Sequence, residues 1–354
     1  MRKLHLTTVV LLIAALFLGA CGTPAPTEAP APVEPTEAPP AAEPTAAPPE
    51  PAEPFRVAVV MPSAINDLAF SQSMYDALLA VQAEMGGPEA FEIAYSEGVF
   101  VIEDAAAAIR DYASQGFDLV IAHGSQYGSS LQEIAPDFPE TSFAWGTTLD
   151  TFGMPNVFAY EARSEEGGYV NGVIAAGLSE SGVIGVIGPI ETGDAKLYVD
   201  GFTAGVMATN PDATVATVWT GSFSDTALAS QAAQTHIDAG ADVLTGTAQM
   251  VTGAIGVAQE TGVLWFGTQS NQTTLAPEIV VASQVYHWEV VLKEMISMIQ
   301  DGTLGGESFA VNLANFGEVV EFNPDYGMPA EVFNQATEAI QGIIDGTVEI
   351  PIAE

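Results

Sequence analysis

The sequence has little cysteine, few basic residues and few histidines. Of its 354 residues one is Cys, seven are Lys or Arg and four are His, against 45 Asp and Glu, which gives a formal net charge of −38. A single cysteine excludes a framework of disulfides within the chain. So negative a surface repels phosphate groups, which argues against nucleic-acid partners and disfavours polyanionic ligands. We therefore expect a neutral or cationic ligand.

The common catalytic motifs are absent from the sequence as well. It contains no G-x-S-x-G, no Walker-type loop and no H-E-x-x-H. Apart from His5 in the N-terminal segment, the histidines stand in separate segments without metal-ligand spacing: His123, His236 and His287. The glycine run over 182–188 is not a dinucleotide fingerprint and predicts close packing. We expect no enzymatic activity, no cofactor and no bound metal.

The lone cysteine, Cys21, closes an apolar N-terminal segment. Two basic residues precede an apolar run over 9–18 that has the length of a signal peptide and is too short to span a bilayer permanently. Residues Leu18-Gly19-Ala20-Cys21 have the pattern of a bacterial lipobox. We expect a lipoprotein signal peptide over 1–20 and an extracytoplasmic protein held to the cell membrane by lipid on Cys21 alone. The alternative is an ordinary secretory signal with an incidental cysteine.

Residues 21–54 follow as a Pro/Ala/Glu-rich segment. They contain no aromatic residue, and Val33 is their one β-branched aliphatic residue. Such a composition cannot bury enough apolar surface to offset the entropy of ordering, and its prolines favour extended polyproline II. We expect a disordered tether between the lipid and a folded body.

From Phe55 onward, β-branched runs alternate with helical patterns. The run Phe55–Met61 precedes helical spacing over 71–85, and this alternation continues to Tyr160. It starts again after a predicted helix over 165–178. Other predicted elements are helices over 102–114, 198–208 and 289–300 and a strand over 214–219. Alternation at this pitch predicts parallel sheets covered by helices, and about 300 residues suit two domains better than one. The predicted fold is therefore α/β with two Rossmann-like lobes, a hinge and a cleft between the lobes.

Polar and aromatic residues recur in the loops that follow the predicted strands. Aromatic faces can stack on a planar solute, while amide, hydroxyl and carboxylate groups pair with its edges. For any single aromatic residue, core packing is the alternative. The candidate ligand-binding residues are Asn66, Asp67, Phe70, Ser125, Gln126, Tyr127, Trp219, Phe223, Gln269, Asn271, Tyr286 and Trp288.

Several of these segments resemble one family. The loop Asn66-Asp67-Leu68-Ala69-Phe70-Ser71-Gln72 is similar to a D-D-K-S-F-N-Q loop of the basic-membrane-protein group of lipoprotein solute-binding proteins. Four other segments add to the likeness, which covers Phe55 to about Phe322: Glu165-Glu166-Gly167, Gly201-Phe202-Thr203-Ala204-Gly205, Gly221-Ser222-Phe223-Ser224-Asp225 and Ala239-Gly240-Ala241-Asp242-Val243.

The resemblance implies a type I periplasmic-binding-protein fold that closes on its solute. Because the chain of such a fold crosses between lobes more than once, lobe 1 is expected to comprise 55–161 plus about 286–318. Lobe 2 is then 162–285 plus about 319–354. By motif position, Asp67 supplies a carboxylate, Phe70 a stacking ring and Phe223 a second aromatic from the opposite lobe. These three residues form the expected clamp on a base.

The chain departs from the nucleoside-binding members at two positions. It has Thr268-Gln269-Ser270-Asn271-Gln272 where they carry V-D-S-D-Q, and Tyr286 where they carry a lysine. Loss of the acid together with its cation is consistent, because loss of one alone would leave a buried charge unpaired. The aromatic pair Tyr286 and Trp288 is similar to the purine-base branch of the family, which makes a free nucleobase at least as good a candidate as a nucleoside.

The sequence thus predicts a monomeric lipoprotein that captures a small planar solute for an ABC permease and ATPase. One alternative is a ligand sensor for a membrane signalling partner, and a weaker one is a nucleoside hydrolase. Truncation of Phe70 to alanine is expected to weaken binding with little effect on folding.

Overall fold

The structure, a computed structural model, describes residues 53–352. The predicted signal peptide, Cys21 and all but the last two residues of the predicted tether lie outside this range. All described residues belong to one compact unit. No helix among them has the length and apolar character needed to cross a membrane.

Strands and helices alternate along the described residues. The strands are β1 (Phe55–Val60), β2 (Phe91–Ser96), β3 (Leu119–His123), β4 (Ser142–Gly146), β5 (Val157–Ala162), β6 (Val183–Gly188), β7 (Thr214–Trp219), β8 (Val243–Gly246), β9 (Leu264–Gly267), β10 (Val280–Tyr286), β11 (Ser308–Val311) and β12 (Glu318–Phe322). The α-helices are α1 (Phe70–Glu84), α2 (Ile102–Ser114), α3 (Gly128–Ile134), α4 (Ser164–Leu178), α5 (Gly193–Thr209), α6 (Thr226–Asp238), α7 (Val251–Thr261), α8 (Glu289–Gln300) and α9 (Ala330–Ile344).

These strands form two six-stranded sheets. The first sheet has the order β11-β5-β4-β3-β1-β2 and the second the order β12-β10-β9-β8-β6-β7. Neighbouring strands are parallel throughout except for β12, which runs antiparallel to β10. The second sheet therefore repeats the strand order of the first. The predicted α/β fold with two lobes is confirmed.

Burial on both faces explains why the strands are continuously apolar. In β1, Val57 and Val59 pack into one core cluster, whereas Ala58 and Val60 pack into another on the opposite face. Successive side chains of a strand point to opposite faces, so a sheet covered by helices on both sides needs apolar residues at every position.

The chain passes between the two sheets at three places within the described residues. It leaves the first sheet from β5 into α4, returns from β10 into α8, and leaves again from β11 into β12. Helix α8 packs with the first sheet through Leu292 and Met295, and α9 with the second through Val332 and Ala336. Motion of the two halves as lobes with the boundaries given above stays a prediction.

Two of the three glycines in the run over 182–188 serve close packing, as predicted, whereas Gly182 has a positive φ and nothing within 4 Å of the position of a Cβ atom. A Cβ atom on Gly185 would lie 2.5 Å from the ring of His236, and one on Gly188 would lie 2.3 Å from the ring of Trp219. Only glycine leaves room for these rings against β6. Both glycines therefore have a packing role, with no need of a dinucleotide to explain them.

Candidate functional site

A cavity lies between the two sheets, where the carboxyl ends of their strands meet. The space free of protein atoms within it is about 410 Å³, including the solvent at its opening. Residues that follow β1 to β4 supply one side: Pro62, Phe70, Phe100, Gly124, Ser125, Gln126 and Thr147. Residues that follow β6 to β9 supply the other: Asp194, Ala195, Phe223, Ala248, Gln249 and Gln269. Ligands of open α/β sheets bind at this end of the strands.

Five of the candidate residues named from the sequence line this cavity. They are Phe70, Ser125, Gln126, Phe223 and Gln269. Phe70 and Phe223 come from opposite sides, as a clamp on a flat solute requires. The structure thus brings together two of the three residues of the expected clamp, and contact with a solute stays a prediction for all five.

Phe70 is the end nearest the cavity of a stack of rings on the first side. Its ring lies 3.8 Å from the imidazole of His123, centroid to centroid, with 9° between the planes. The same imidazole is nearly parallel to the ring of Tyr160 at 6.0 Å and 8°. Behind them Trp288 meets His123 edge-on at 5.9 Å and 81°. We name these four residues the aromatic wall.

Hydrogen bonds fix the protonation of His123 within the aromatic wall. The Phe70 carbonyl, 3.1 Å from Nε2, can only accept, so Nε2 carries the proton, while Nδ1 accepts from the Tyr160 hydroxyl at 2.7 Å. Complete burial lowers the pKa of His123 to about 3, although the hydrogen bond to Phe70 acts in the opposite direction. The imidazole is therefore neutral at physiological pH.

Trp288 and Tyr286 lie behind the cavity lining. Trp288 is fully buried and donates from Nε1 to Ser73 Oγ at 3.0 Å. The Tyr286 hydroxyl is 2.7 Å from Ser164 Oγ, and burial raises the pKa of that phenol. Their aromatic character was evident in the sequence, but both rings pack into the core cluster beneath Phe70. The structure thus gives them a supporting place.

Asp67 lies outside the cavity lining and organises the loop before α1. Its carboxylate accepts from the backbone amides of Ala69 (2.9 Å), Ser71 (3.2 Å) and Gln72 (3.1 Å), and from the hydroxyl of Ser63. Ser71 and Gln72 lie in the first turn of α1, where backbone amides have no partner inside the helix. Asn66, beside it, is exposed. Neither side chain is brought to the cavity in this structure.

Three other candidates also lie elsewhere. Tyr127 is buried and donates its hydroxyl hydrogen to the Val99 carbonyl at 2.6 Å. Trp219 covers Gly188 at the end of β7, and Asn271 is exposed and donates to Glu321. A position after a strand end places a residue near the cleft, but packing decides where its side chain points.

The opposite side of the cavity is polar. Asp194, Gln249 and Gln269 line it, and we name them the acceptor wall. Thr147 donates to Asp194 Oδ1 at 3.2 Å across the cleft. Burial raises the pKa of Asp194, while Thr147, the amide of Gln269 and the amides of the first turn of α5 lower it.

Two further hydrogen bonds join the halves beside the cavity. Ser270 Oγ donates to the Ala69 carbonyl at 2.9 Å, and Gln272 Nε2 donates to the Leu68 carbonyl at 3.2 Å. Both donors follow β9 and both acceptors precede α1. The loop that carries Gln269 is thereby tied to the loop that carries Phe70.

The sequence did not single out Phe100, Thr147, Asp194 or Gln249. Each follows a strand, so the rule that selected the other candidates applies to them as well. Asp194 was missed because the helix was predicted to begin at Tyr198, whereas α5 begins at Gly193. Its first turn has no apolar periodicity, but an acidic residue shortly after a strand and near a glycine is a usable signal for a helix start.

Comparison with known proteins gives consistent matches. Residues 55–354 match a family model, Bmp, described as ABC transporter substrate-binding protein PnrA-like. A purine-binding protein of Brucella abortus (strain 2308) is 30% identical over 255 residues, which are 72% of this chain and 71% of that protein. The transcriptional activator protein med of Bacillus subtilis (strain 168) is 28% identical over 298 residues, 84% of this chain and 90% of that protein.

Solved structures share the fold. An ABC transporter solute-binding protein from Conexibacter woesei superposes with a TM-score of 0.69 at 23% identity, covering 84% of this chain and 99% of that chain. The predicted periplasmic-binding-protein architecture is confirmed by this likeness.

Proposed function

Because this chain belongs to the Bmp family of ABC transporter substrate-binding proteins, we propose that its cavity captures a purine base or nucleoside for import. Proteins of this class bind small solutes outside the cytoplasm and work with a permease and an ATPase. As a family they are binding proteins without enzymatic activity, which disfavours the nucleoside hydrolase considered from the sequence.

The observation that carries the proposal is the pair of rings on opposite sides of one cavity. Phe70 follows β1 and Phe223 follows β7, and both line the same space together with hydroxyl and amide groups. A planar heterocycle between two rings gains stacking on both faces, and polar groups remain for its edges. The similarity to a purine-binding protein supports a purine in that place.

A free base is the first candidate and a nucleoside the second. The resemblance assigns an acid and a lysine of nucleoside-binding members to the positions of Gln269 and Tyr286. Here Gln269 is an uncharged amide and Tyr286 points its hydroxyl at Ser164 behind the lining. The acid and the lysine of the nucleoside-binding members are therefore both missing from this cavity, which favours a free base over a nucleoside.

Isothermal titration calorimetry tests the proposal. The purified full-length chain is titrated with adenine, guanine, hypoxanthine, adenosine and inosine after denaturation and refolding to remove any copurified solute. We expect at least one base to bind with micromolar or tighter affinity and the matching nucleoside to bind more weakly. No heat from any of the five contradicts the purine assignment, and a nucleoside that binds more tightly than its base reverses the order of candidates.

We also propose that Cys21 carries the lipid that anchors the protein, and that the protein is a monomer. The support is the lipobox pattern over 18–21 in a chain whose family acts outside the cytoplasm. Expressed in bacteria, the wild-type chain is expected to incorporate labelled palmitate and to sediment with membranes, and Cys21→Ser to do neither. Membrane association that persists in Cys21→Ser contradicts the anchor, and size-exclusion chromatography with light scattering checks the monomer.

A further inference from the structure

Three buried oxygen atoms of the acceptor wall lack a hydrogen-bond partner within residues 53–352. They are Oδ2 of Asp194, Oε1 of Gln249 and Oε1 of Gln269. Five other side-chain oxygens in the described part of the chain are buried and unpaired, so one such atom alone indicates no ligand. Three on one wall of one cavity are a different observation, because a single bound molecule could pair with all of them.

Hydrogen bonds within the described residues leave these atoms unpaired. Thr147 donates to Oδ1 of Asp194, whereas Oδ2 has no partner. The side-chain amide of Gln269 lowers the pKa of Asp194, while Oε1 of Gln269 has no partner. Carboxylate and amide oxygens accept hydrogen bonds, so a ligand that contacts these atoms must donate.

The charges around the cavity also favour a ligand that donates hydrogen bonds. No Lys, Arg or His is among the described residues that line it. Asp194 lies in the first turn of α5, where helix amides favour its ionised form while burial raises the pKa of its carboxyl group. A carbonyl oxygen or an anionic ring placed against the ionised carboxylate would be repelled, whereas an N–H group would be bound.

We propose that Asp194, assisted by Gln249 and Gln269, selects the solute by its N–H donors, so that an aminopurine is preferred over a purine without an amino group. This inference rests on the function proposed above and deepens it. Asp194 acts as the specificity-determining residue, and the two amides supply further acceptors. Polar sites of this kind reject an analogue that lacks the donor, because the protein group is then buried without a partner.

Calorimetry with two sets of probes tests the preference. Adenine, guanine and 2-aminopurine carry an amino group, and unsubstituted purine has the same bicyclic ring system without one. For the wild-type full-length chain we expect the best aminopurine to bind at least tenfold more tightly than purine. In Asp194→Asn the ratio of aminopurine affinity to purine affinity is expected to fall at least fivefold, mainly because the affinity for the aminopurine falls. Asp212→Asn, at an exposed aspartate, is the matched control and is expected to keep the wild-type ratio.

A second variant covers the case in which Asp194→Asn does not fold, as judged by circular dichroism and thermal melting. Gln249→Leu changes a partly exposed residue, and the ratio is expected to fall at least threefold in it. Equal wild-type affinity for purine and the aminopurines overturns this inference and leaves the proposed function intact. Folded variants that keep the wild-type ratio of affinities also overturn this inference and leave the proposed function intact. No binding of any purine overturns both.

Discussion

The two sides of the cavity differ in how far their polar groups are satisfied. In the aromatic wall, His123 uses both ring nitrogens, and Trp288 pairs its indole nitrogen with Ser73. In the acceptor wall, three buried oxygens have no partner within residues 53–352. The hydrogen bonds of the aromatic wall are complete without a ligand, and those of the acceptor wall are not.

This difference separates the support of the stacking ring from the selection of the solute. A wall with all its hydrogen bonds made holds Phe70 in place and stabilises the fold, but it offers a ligand only a ring face. A wall with open acceptors costs free energy in the empty protein and regains it with a ligand that donates. Aromatic residues near a cleft thus indicate where a solute stacks, and unpaired polar atoms indicate which solute fits.

The strongest test of the aromatic wall as a stabilising unit is His123→Ala. Removal of the ring opens a buried space and leaves the Tyr160 hydroxyl and the Phe70 carbonyl without this partner. We expect the free energy of unfolding in urea to fall by about 3 kcal/mol or more. His287→Ala is the matched control, because His287 is half-buried and pairs with Glu289 near solvent; its cost is expected to stay below about 1 kcal/mol. A similar loss of unfolding free energy in both variants would contradict a particular stabilising role of the aromatic wall.

The same variant gives a pH dependence of predictable sign. The unfolded chain protonates His123 near its ordinary pKa of 6.5, whereas the folded protein keeps it neutral down to about 3. Stability conferred by the neutral ring is thus fully present above pH 6.5 and is lost as the pH falls. The difference in unfolding free energy between wild type and His123→Ala is expected to shrink by about 2 kcal/mol from pH 7 to pH 5. Urea melts at the two pH values measure it, and a constant difference would mean that the folded ring titrates normally.

Truncation of the two clamp rings compares the two sides of the cavity directly. Phe70→Ala and Phe223→Ala are each expected to weaken base binding by about 1 to 3 kcal/mol through lost stacking. Phe70 is 7% exposed and packs into a core cluster, so its loss should also lower the melting temperature. The sequence predicted little effect on folding for Phe70, and the burial of the ring is the reason to expect otherwise. Half-buried Phe223 should affect binding with little change in melting.

The control for this pair is Phe333→Ala, a partly exposed phenylalanine on α9. Its base affinity, measured by calorimetry, should match that of the wild type. If Phe223→Ala binds as tightly as this control, the solute does not lie between the two rings.

The smallest expected effect concerns Asp67. The resemblance assigns this residue to ligand binding, whereas in the structure its carboxylate holds the loop before α1. Loss of its bonds to the amides of the first turn in Asp67→Ala should cost about 1 kcal/mol of stability. Base affinity should change less than twofold, and neither quantity should change in Asn66→Ala. A tenfold loss of affinity in Asp67→Ala would contradict this expectation and indicate that the carboxylate contacts the solute.

Much of the fold could be predicted because its signals are local. Helices α2 and α8 and strand β7 begin and end where the sequence predicts, since each shows its period without interruption. In α8, Val291, Leu292, Met295 and Ile296 form the buried stripe. The start of α5 was placed five residues late, because its first turn shows no such stripe.

The candidate site was less predictable, because it depends on contacts between distant segments. Phe70, Ser125, Gln126, Phe223 and Gln269 were found by their position after strands. Asp194 became visible only when the second sheet brought α5 against Thr147 of the first. For Tyr286 and Trp288 the residue type was informative, but the packing that turns their rings inward is set by many neighbours at once.

The two hydrogen bonds from the loop after β9 respond differently to substitution at their two ends. Ser270 and Gln272 donate to the carbonyls of Ala69 and Leu68, which are main-chain atoms. A carbonyl is present whatever the side chain, so a substitution at residue 68 or 69 does not by itself remove either acceptor. The donors are side chains, so a substitution at residue 270 or 272 removes a bond between the two halves directly.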